Sequence, residues 1–425
     1  MKIQRTLAPT VAPLNWRDLL HGLIAPFRGQ RVTDKVTREF QDYFGVKHLF
    51  WVTSGKAALT LILLGLMRLS SRRKVVIPAY TCFSVPSSVA KAGLEVGLCD
   101  VDPATLDFDM AALNAALDDR VLAVVPTHLL GSCADVTQVA RYAKDKQIYV
   151  VEDVAQAFGG MSAGKPLGTH GDVAFLSFGR GKNITCGSGG VILTDSDSIA
   201  DAIRAEYERL ETESLAGSIK NWLEVVAMHL LVNPATYWLP SGLPFLKLGE
   251  TRFYREFPMV RMDRIRAGLL SNWKARLSQS TTIRHERASQ LVRTLTESQG
   301  GRIVPQPLHD SVHLRFPFLM RSREEKSRLC ALSKRQGLGI SPFYPTTVQQ
   351  IPELQSTLSM AHVTGASIVA DRLVTLPTHC YVTDHDVNRI KAALEEVHAQ
   401  AKDSTGAPVL ERPGESVSIT GARRS

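Results

Sequence analysis

One lysine, Lys182, lies between a buried strand-like run and a glycine-rich turn, and this placement constrains the chain more than any other feature. The run spans residues 172–178, the turn spans 187–190, and a second apolar run follows at 191–193. A lysine partly shielded from water there has a lowered pKa, so its amine is free to form a Schiff base with an aldehyde or ketone. Most lysines are solvated surface groups, so this interpretation depends on the residues that accompany Lys182.

Short apolar runs alternate with segments of helical spacing between about residues 48 and 195. The runs, which are typical of strands buried on both faces, are residues 49–52, 75–78, 121–125, 148–151, 173–178 and 191–193. The helical segments are residues 57–67, 86–92 and 136–146. This alternation predicts an α/β fold with a mostly parallel, doubly wound sheet. Such sheets bind ligands at the carboxyl ends of their strands, so the residues that follow each strand are the candidates.

The composition excludes several other classes of protein. The chain has 425 residues with 44% hydrophobic content, enough for two structural units. The net charge is +9, but the basic residues are spread along the chain, so no nucleic acid is expected as a partner. Six cysteines form no CxxC pair, which favours reduced thiols in the cytoplasm and predicts no metal site. The longest hydrophobic tract, 223–239, contains polar residues and proline, so membrane contact is not expected.

The turn after the first predicted strand contains Ser54, Gly55 and Lys56 and opens a helix. Free backbone N–H groups and the helix dipole at such a start can hold a phosphate. The turn lacks the spacing of a P-loop, so an ordinary serine-capped helix start explains the same residues equally well.

The predicted strand at 148–151 ends in Glu152 and Asp153, and Gln156 follows three residues after the second carboxylate. A carboxylate buried at a strand end needs a cationic partner. Taken alone, the Glu-Asp pair is also explained by an ion pair or a helix cap.

Together these strand ends match the needs of pyridoxal 5'-phosphate (PLP). PLP needs an amine for its aldehyde, an acid for its pyridinium nitrogen, and N–H and hydroxyl donors for its phosphate. Lys182, Asp153 and the Ser54 turn with Ser177 supply these groups. The combination is far more specific than any of its parts.

The order of these motifs resembles the DegT/DnrJ/StrS family of sugar aminotransferases. The matching segments are Ser54-Gly55-Lys56, Pro78-Ala79-Tyr80-Thr81, His128-Leu129-Leu130-Gly131, Glu152-Asp153-Val154-Ala155-Gln156 and Ser177 to Lys182. The resemblance covers about residues 35–400 and implies the fold type I of PLP-dependent transferases. It implies a PLP-binding large domain over 35–265 and a smaller α+β domain over 266–400. Residues 1–34 would form an N-terminal segment, and 401–425 a disordered tail.

The resemblance also implies a role for each matching residue. Lys182 would hold the cofactor and move the substrate proton, and Asp153 would keep the ring nitrogen protonated. Gln156 would hydrogen-bond the 3-oxygen of the ring. The phosphate would be bound by Ser54, Gly55, Lys56 and Ser177.

By the same resemblance, an amino acid, glutamate in the family, donates the amino group. A ketosugar, typically linked to a nucleotide, accepts it in polysaccharide or secondary-metabolite biosynthesis. A homodimer is the expected assembly.

The chain departs from the family pattern at several positions. The aromatic residue that stacks on the cofactor ring aligns with Cys82, which leaves Tyr80 or Phe83 as candidate substitutes. The asparagine that a neighbouring subunit contributes is replaced near Met259. His379, in a segment similar to the family's LPxH, is an active-site group or a core or surface histidine.

Residues 206–257 form a longer and more hydrophobic connection than the family has, and are called the insertion below. One interpretation is a buried helical pair that widens the subunit interface. The other is a lid, or a platform for a bulky or lipid-linked acceptor.

Two other functions stay open. The chain could be a catalytically silent or regulatory protein with this fold, given Lys56, Cys82 and Met259. It could also be a PLP enzyme that acts on a cyclitol or as a sugar dehydratase. The family's sugar dehydratase has histidine in place of the lysine, so Lys182 argues against the last of these.

Overall fold

The computed structural model describes residues 3–12, 14–243, 249, 251–296, 301–355, 358–359 and 362–405. Within these ranges the helices are α1 (Trp16–Ile24), α2 (Arg31–Phe44), α3 (Gly55–Leu69), α4 (Ser84–Lys91), α5 (Met110–Ala116), α6 (Val136–Lys144), α7 (Asp197–Tyr207), α8 (Leu215–Leu231), α9 (Trp238–Ser241), α10 (Arg264–Leu269), α11 (Trp273–Leu295), α12 (Arg323–Gln336), α13 (Thr364–Arg372) and α14 (Asp384–Thr405). The strands are β1 (His48–Val52), β2 (Lys74–Pro78), β3 (Glu95–Cys99), β4 (Val121–Val124), β5 (Tyr149–Asp153), β6 (Met161–Ser162), β7 (Lys165–Pro166), β8 (Val173–Ser177), β9 (Gly190–Thr194), β10 (Gly301–Ile303), β11 (Phe316–Met320), β12 (Leu358–Ser359) and β13 (Leu373–Leu376).

Eight of the described strands pair into one sheet in the order β1-β9-β8-β5-β4-β2-β3-β12. Every pairing from β8 to β12 is parallel, and only β9 runs antiparallel to its two neighbours, β8 and β1. The fold class predicted from the sequence, a mostly parallel α/β sheet, is therefore confirmed. Strands such as β2 and β4 are buried along their whole length, which is why they appear as continuous apolar runs.

Two strands of this sheet were absent from the predicted set. β3 has the sequence Glu-Val-Gly-Leu-Cys, so its glycine and glutamate interrupt the apolar run that marks the other strands. β12 is two residues long and pairs with β3 across a separation of more than 250 residues. Neither leaves a periodic signal, since one lacks hydrophobic continuity and the other lacks length.

A second sheet, antiparallel and ordered β10-β11-β13, forms the smaller α+β unit. Helices α11, α12 and α14 pack on it around buried residues that include Phe318, Leu329, Val374 and Leu394. The same C-terminal part of the chain also supplies β12 to the large sheet. The domain boundary at residue 265 remains a prediction.

The predicted tail, 401–425, and the insertion are each described only in part. α14 continues through Thr405, so the first five residues of the segment 401–425 are helical, and 406–425 lie outside the described residues. The insertion contains α8 and α9, while residues 244–248 and 250 also lie outside the description. Among the described helices, none combines the length and the apolar character needed to cross a lipid bilayer.

The inner face of α8 packs on the glycine-rich turn that follows Lys182. The Asn221 amide donates to the carbonyl of Cys186 at 3.0 Å. Gly187 has φ +87°, and a Cβ there would lie 2.4 Å from a methyl group of Val225, so only glycine fits. The outer face of α8 leaves Leu215 68% exposed. The insertion therefore supports the lysine turn on one side and keeps an apolar surface on the other.

Arg284 of α11 joins three distant parts of the chain from a fully buried position. Its Nε donates to Asn183 Oδ1 at 2.9 Å, beside Lys182. Its Nη1 donates to the Leu314 carbonyl at 2.8 Å, just before β11, and its Nη2 to the Val11 carbonyl at 2.7 Å. Burial lowers the pKa of Arg284 to about 10, so the guanidinium stays protonated at neutral pH.

His379 is a core histidine that fastens the N-terminal segment to the small sheet. The Tyr381 N–H donates to Nδ1 at 3.3 Å, so Nε2 carries the proton and donates to the Ala8 carbonyl at 2.8 Å. Burial lowers the pKa of His379 to about 3. The structure therefore favours the core role of His379 over the active-site role.

Replacing Arg284 by Met should destabilise the protein by about 3 kcal/mol or more, because the buried acceptors it leaves would have no donor. Chemical denaturation at neutral pH measures this. Arg287→Met, on the same helix, is the matched control: Arg287 pairs at 2.6 Å with Asp384, whose side chain is 79% exposed. Such a surface pair contributes at most about 1 kcal/mol. Equal losses in the two variants would contradict the central role of Arg284.

His379→Gln should make stability less sensitive to acid. His379 takes up a proton at about pH 6.5 when unfolded but only near 3 when folded, so folding stability falls as pH drops below 6.5. Between pH 7.5 and 5 this histidine should account for about 2 kcal/mol of that loss. Glutamine keeps a donor for Ala8 but does not titrate. Urea unfolding at pH 7.5 and at pH 5 measures this for the wild type, for His379→Gln and for the control His385→Gln, which replaces an exposed histidine. Equal losses of stability between the two pH values in all three proteins would refute the prediction.

Candidate active site

The carboxyl ends of β1, β2, β5 and β8 border one cavity of about 150 Å³. Seven of the nine predicted site residues line it, namely Ser54, Gly55, Lys56, Asp153, Gln156, Ser177 and Lys182. Tyr80 and Phe83 are not among the lining residues, whereas Cys82 is. A larger groove of about 660 Å³ along α8 is lined mainly by apolar side chains. The strand-end cavity is therefore where the predicted site residues meet.

The start of α3 presents backbone donors to this cavity. Ser54 caps the helix, since its Oγ accepts from the Ala57 N–H at 3.1 Å. The serine-capped helix start predicted from the sequence is therefore present. The N–H groups of Gly55 and Lys56 have no hydrogen-bond acceptor among the described residues. A Cβ on Gly55 would lie 2.9 Å from Ser177 Cβ, so glycine keeps the space between the two open.

The Lys56 side chain extends to two aromatic rings at the end of the insertion. Its Nζ lies 5.1 Å from the ring centre of Tyr254 and 4.7 Å from that of Phe257. Burial lowers the pKa of Lys56, and the Cys82 thiol partly opposes this shift. Because the ammonium is stacked on these rings, Lys56 contributes its backbone N–H, and not its side chain, to the donors at the start of α3.

The two carboxylates at the end of β5 have different surroundings because successive strand side chains alternate between faces. Glu152 is fully buried and accepts from His128 Nε2 at 2.9 Å and from backbone N–H groups of residues 168–171. Burial alone would raise the pKa of Glu152, but the His128 hydrogen bond and these N–H groups hold it below its usual range. Glu152 is thus a structural anion that secures the strand end.

Asp153 instead faces the cavity. Its Oδ1 accepts from the Ala155 N–H at 2.9 Å, and its other oxygen accepts no hydrogen bond from the described residues. Burial raises the pKa of Asp153, while the Ala155 N–H and the positive charge of Lys182 act in the opposite direction. A buried carboxylate with an open oxygen is suited to a cationic N–H donor.

The Lys182 amine lies in the same cavity without a hydrogen-bond partner in the described part of the chain. Burial lowers the pKa of Lys182, and the nearby Cys82 and Asp153 oppose that shift. Its backbone is held by the turn, in which the Lys182 N–H donates to the Gly179 carbonyl at 3.3 Å. The result is an amine that loses its proton more readily than a solvated lysine does.

Gln156 is oriented by partners on both sides of its amide. Its Oε1 accepts from the Leu130 N–H at 3.1 Å, and its Nε2 donates to the Tyr344 hydroxyl at 2.9 Å. The prediction for Gln156 from the sequence did not include Tyr344. The contact spans 188 residues, so no local pattern could show it.

Tyr80 lies behind the cavity wall and not in it. Its hydroxyl accepts from the Tyr344 N–H at 3.3 Å and donates to the Tyr344 carbonyl at 3.4 Å. Cys82 occupies the wall where the family pattern has an aromatic ring. Tyr80 and Phe83 do not line the cavity, and a stacking role for either stays a prediction from the sequence.

Comparison with known proteins gives a match to the DegT/DnrJ/EryC1/StrS aminotransferase family over residues 27–395. GDP-perosamine synthase of Caulobacter vibrioides is 29% identical over 367 residues, which are 85% of this chain and 88% of that protein. UDP-2-acetamido-2-deoxy-3-oxo-D-glucuronate aminotransferase of Pseudomonas aeruginosa is 26% identical over 382 residues, which are 89% and 93% of the two chains.

Among solved structures, GDP-4-keto-6-deoxy-D-mannose-3-dehydratase of E. coli with bound hydrated PLP has a TM-score of 0.72 to this chain at 16% identity. The match covers 93% of this chain and 100% of that one, and it concerns the fold alone. Since the family match extends over most of the sequence and the fold agrees with it, the protein belongs to the DegT/DnrJ/EryC1/StrS aminotransferase family.

Proposed function

We propose that this protein is a PLP-dependent aminotransferase that moves an amino group from an amino acid, glutamate first, to a nucleotide-linked ketosugar. The observation that carries the proposal is the pairing in one cavity of a partly buried lysine amine, without a hydrogen-bond partner among the described residues, with a buried carboxylate that has an open oxygen. A lysine amine that attacks aldehydes and an acid that holds a pyridinium are the two groups PLP chemistry requires.

The residues present fit PLP in their donor chemistry. Asp153 offers an open acceptor oxygen, which suits the protonated ring nitrogen. The N–H groups of Gly55 and Lys56 and the Ser177 hydroxyl have no acceptor among the described residues, which suits a phosphate. The cavity would lose this space if Gly55 carried a Cβ. Aminotransferases of this family use PLP, which supports the same assignment.

Lys182 would attach the cofactor and then move the proton at the α-carbon of the amino acid. Its lowered pKa leaves more of the amine unprotonated near neutral pH, which is the form that accepts a proton. Asp153 would stay ionised against the ring nitrogen. When bound, PLP supplies the electron sink that makes the α-proton removable.

The acceptor class is supported by the relatives whose names include GDP-perosamine and a UDP-linked oxo-glucuronate. Biosynthesis of a surface polysaccharide or a secondary metabolite is the corresponding role. A homodimer forms part of the proposal, following the resemblance of the sequence to its family. Lys182, in the place where the family's sugar dehydratase has histidine, favours amine transfer over dehydration.

Lys182→Ala should lose amine transfer by about 10²-fold to 10⁴-fold, because the variant lacks the group that moves the proton. It should still take up PLP, but borohydride should no longer fix the cofactor covalently. Absorbance, borohydride trapping and mass spectrometry measure this. The control is Lys165→Ala, which removes an exposed lysine on β7. Normal turnover in Lys182→Ala would exclude the mechanism, and a wild-type protein without a reducible visible band would exclude PLP.

Asp153→Asn should lower turnover by about 10-fold to 150-fold, the usual effect of removing a charged hydrogen-bond partner. The shape of the side chain is kept, so cofactor uptake should weaken without loss of folding. Steady-state kinetics and PLP titration check both points, with exposed Asp195→Asn as the control. If Asp153→Asn has wild-type turnover, the pairing of Asp153 with the ring nitrogen is wrong.

A further inference from the structure

Arg315 presents an unused guanidinium close to the candidate active site. It lies between Leu314 and Phe316, the first residue of β11. The side chain is partly buried, and its guanidinium makes no hydrogen bond and no ion pair with any described residue. A guanidinium has five N–H donors and keeps its charge near neutral pH, so one without an acceptor among the described residues is suited to bind an anion.

A short chain of contacts connects Arg315 to the cavity. Its guanidinium carbon lies 5.5 Å from the ring centre of Phe343, whose ring centre is 3.9 Å from that of Tyr344. The Tyr344 hydroxyl accepts from Gln156, which lines the cavity. Arg315 itself is not among the lining residues, so these contacts place its guanidinium behind the Gln156 side of the cavity that Lys182 lines.

The backbone around Arg315 is held in a costly conformation. Leu130, His313 and Phe343 are non-glycine residues with φ of 59°, 51° and 64°. The Leu130 carbonyl accepts from the Arg315 N–H at 3.4 Å, and Phe343 lies beneath the guanidinium. Three such residues around one side chain indicate a conformation that the surrounding structure enforces, as occurs at ligand sites.

The reaction itself indicates which anion belongs there. An amino-acid donor must bring its amine to Lys182, and its α-carboxylate is attached to the same α-carbon. The phosphates of a nucleotide sugar are several bonds away from the keto carbon. A planar carboxylate also matches the arginine fork with two parallel hydrogen bonds.

We propose that Arg315 binds the α-carboxylate of the amino-acid donor. This assignment rests on the proposed aminotransferase function and adds a donor-specificity site to it. Arg315 then orients the α-carbon against the Lys182 amine, while the acceptor sugar depends on other residues.

The test follows the donor half-reaction of the PLP-loaded protein by absorbance, with L-glutamate and with its α-amide, L-isoglutamine. In the wild type the α-amide should react about 30-fold to 100-fold less efficiently, because it cannot make the charged pair. Arg315→Gln should lose a similar factor with L-glutamate and show little difference between the two compounds. Arg302→Gln, an exposed arginine of β10, is the matched control.

Calorimetric titration with GDP and with UDP forms the second arm, since it reports phosphate binding independently of turnover. Arg315→Gln should bind both nucleotides as the wild type does. A loss confined to the nucleotides would overturn the proposal in favour of a phosphate site. Unchanged donor kinetics in Arg315→Gln would overturn it as well.

A second variant keeps the proposal testable if Arg315→Gln does not fold or take up PLP. Arg315→Lys keeps the charge but not the fork and should lose about 10-fold with L-glutamate. Wild-type donor kinetics in Arg315→Lys would refute the assignment. If the wild-type protein itself reacts with neither compound, the proposed function fails, which is distinct from a failure of Arg315 alone.

Discussion

The rest of the structure depends on the buried guanidinium of Arg284. It holds Asn183 beside the lysine turn, the Leu314 carbonyl before the small sheet and the Val11 carbonyl of the N-terminal segment, all within 2.9 Å. Desolvating a guanidinium costs free energy, and only such a full set of acceptors offsets that cost. Because all three segments accept hydrogen bonds from one side chain, the lysine turn and the small sheet are held in a fixed position relative to each other.

A second buried charge determines which carboxylate faces the cavity. Glu152 accepts from His128 and from backbone N–H groups on one face of β5, so the alternation of the strand turns Asp153 to the other face. Asp153 keeps an open oxygen there, in surroundings where water is scarce. Lys182 and Asp153 shift each other's pKa within this cavity, and Arg315 adds a further positive charge. The protonation states in the site therefore depend on a few charged groups, which interact strongly because the dielectric constant around them is low.

The insertion contributes to this arrangement at two points. α8 supports the turn after Lys182 through Asn221, and Tyr254 and Phe257 stack against the Lys56 ammonium. The lid and interface interpretations both stay open, but these contacts show that the insertion packs beside the candidate site within its own chain.

The sequence by itself determined most strands of the large sheet and the groups at their carboxyl ends. Apolar runs and helix starts depend on neighbouring residues, so the strands near 49–52 and 173–178 and the lining residues Ser54, Asp153 and Lys182 could be found from local patterns. Only the tertiary structure decided the rest. It placed Cys82 in the wall with Tyr80 behind it, and it brought Tyr344 to Gln156 and Arg315 to the region of Lys182. These positions depend on contacts between residues more than one hundred apart in the chain and on which face of each element is buried. Contacts of that kind leave no periodic pattern in the sequence from which they could be predicted.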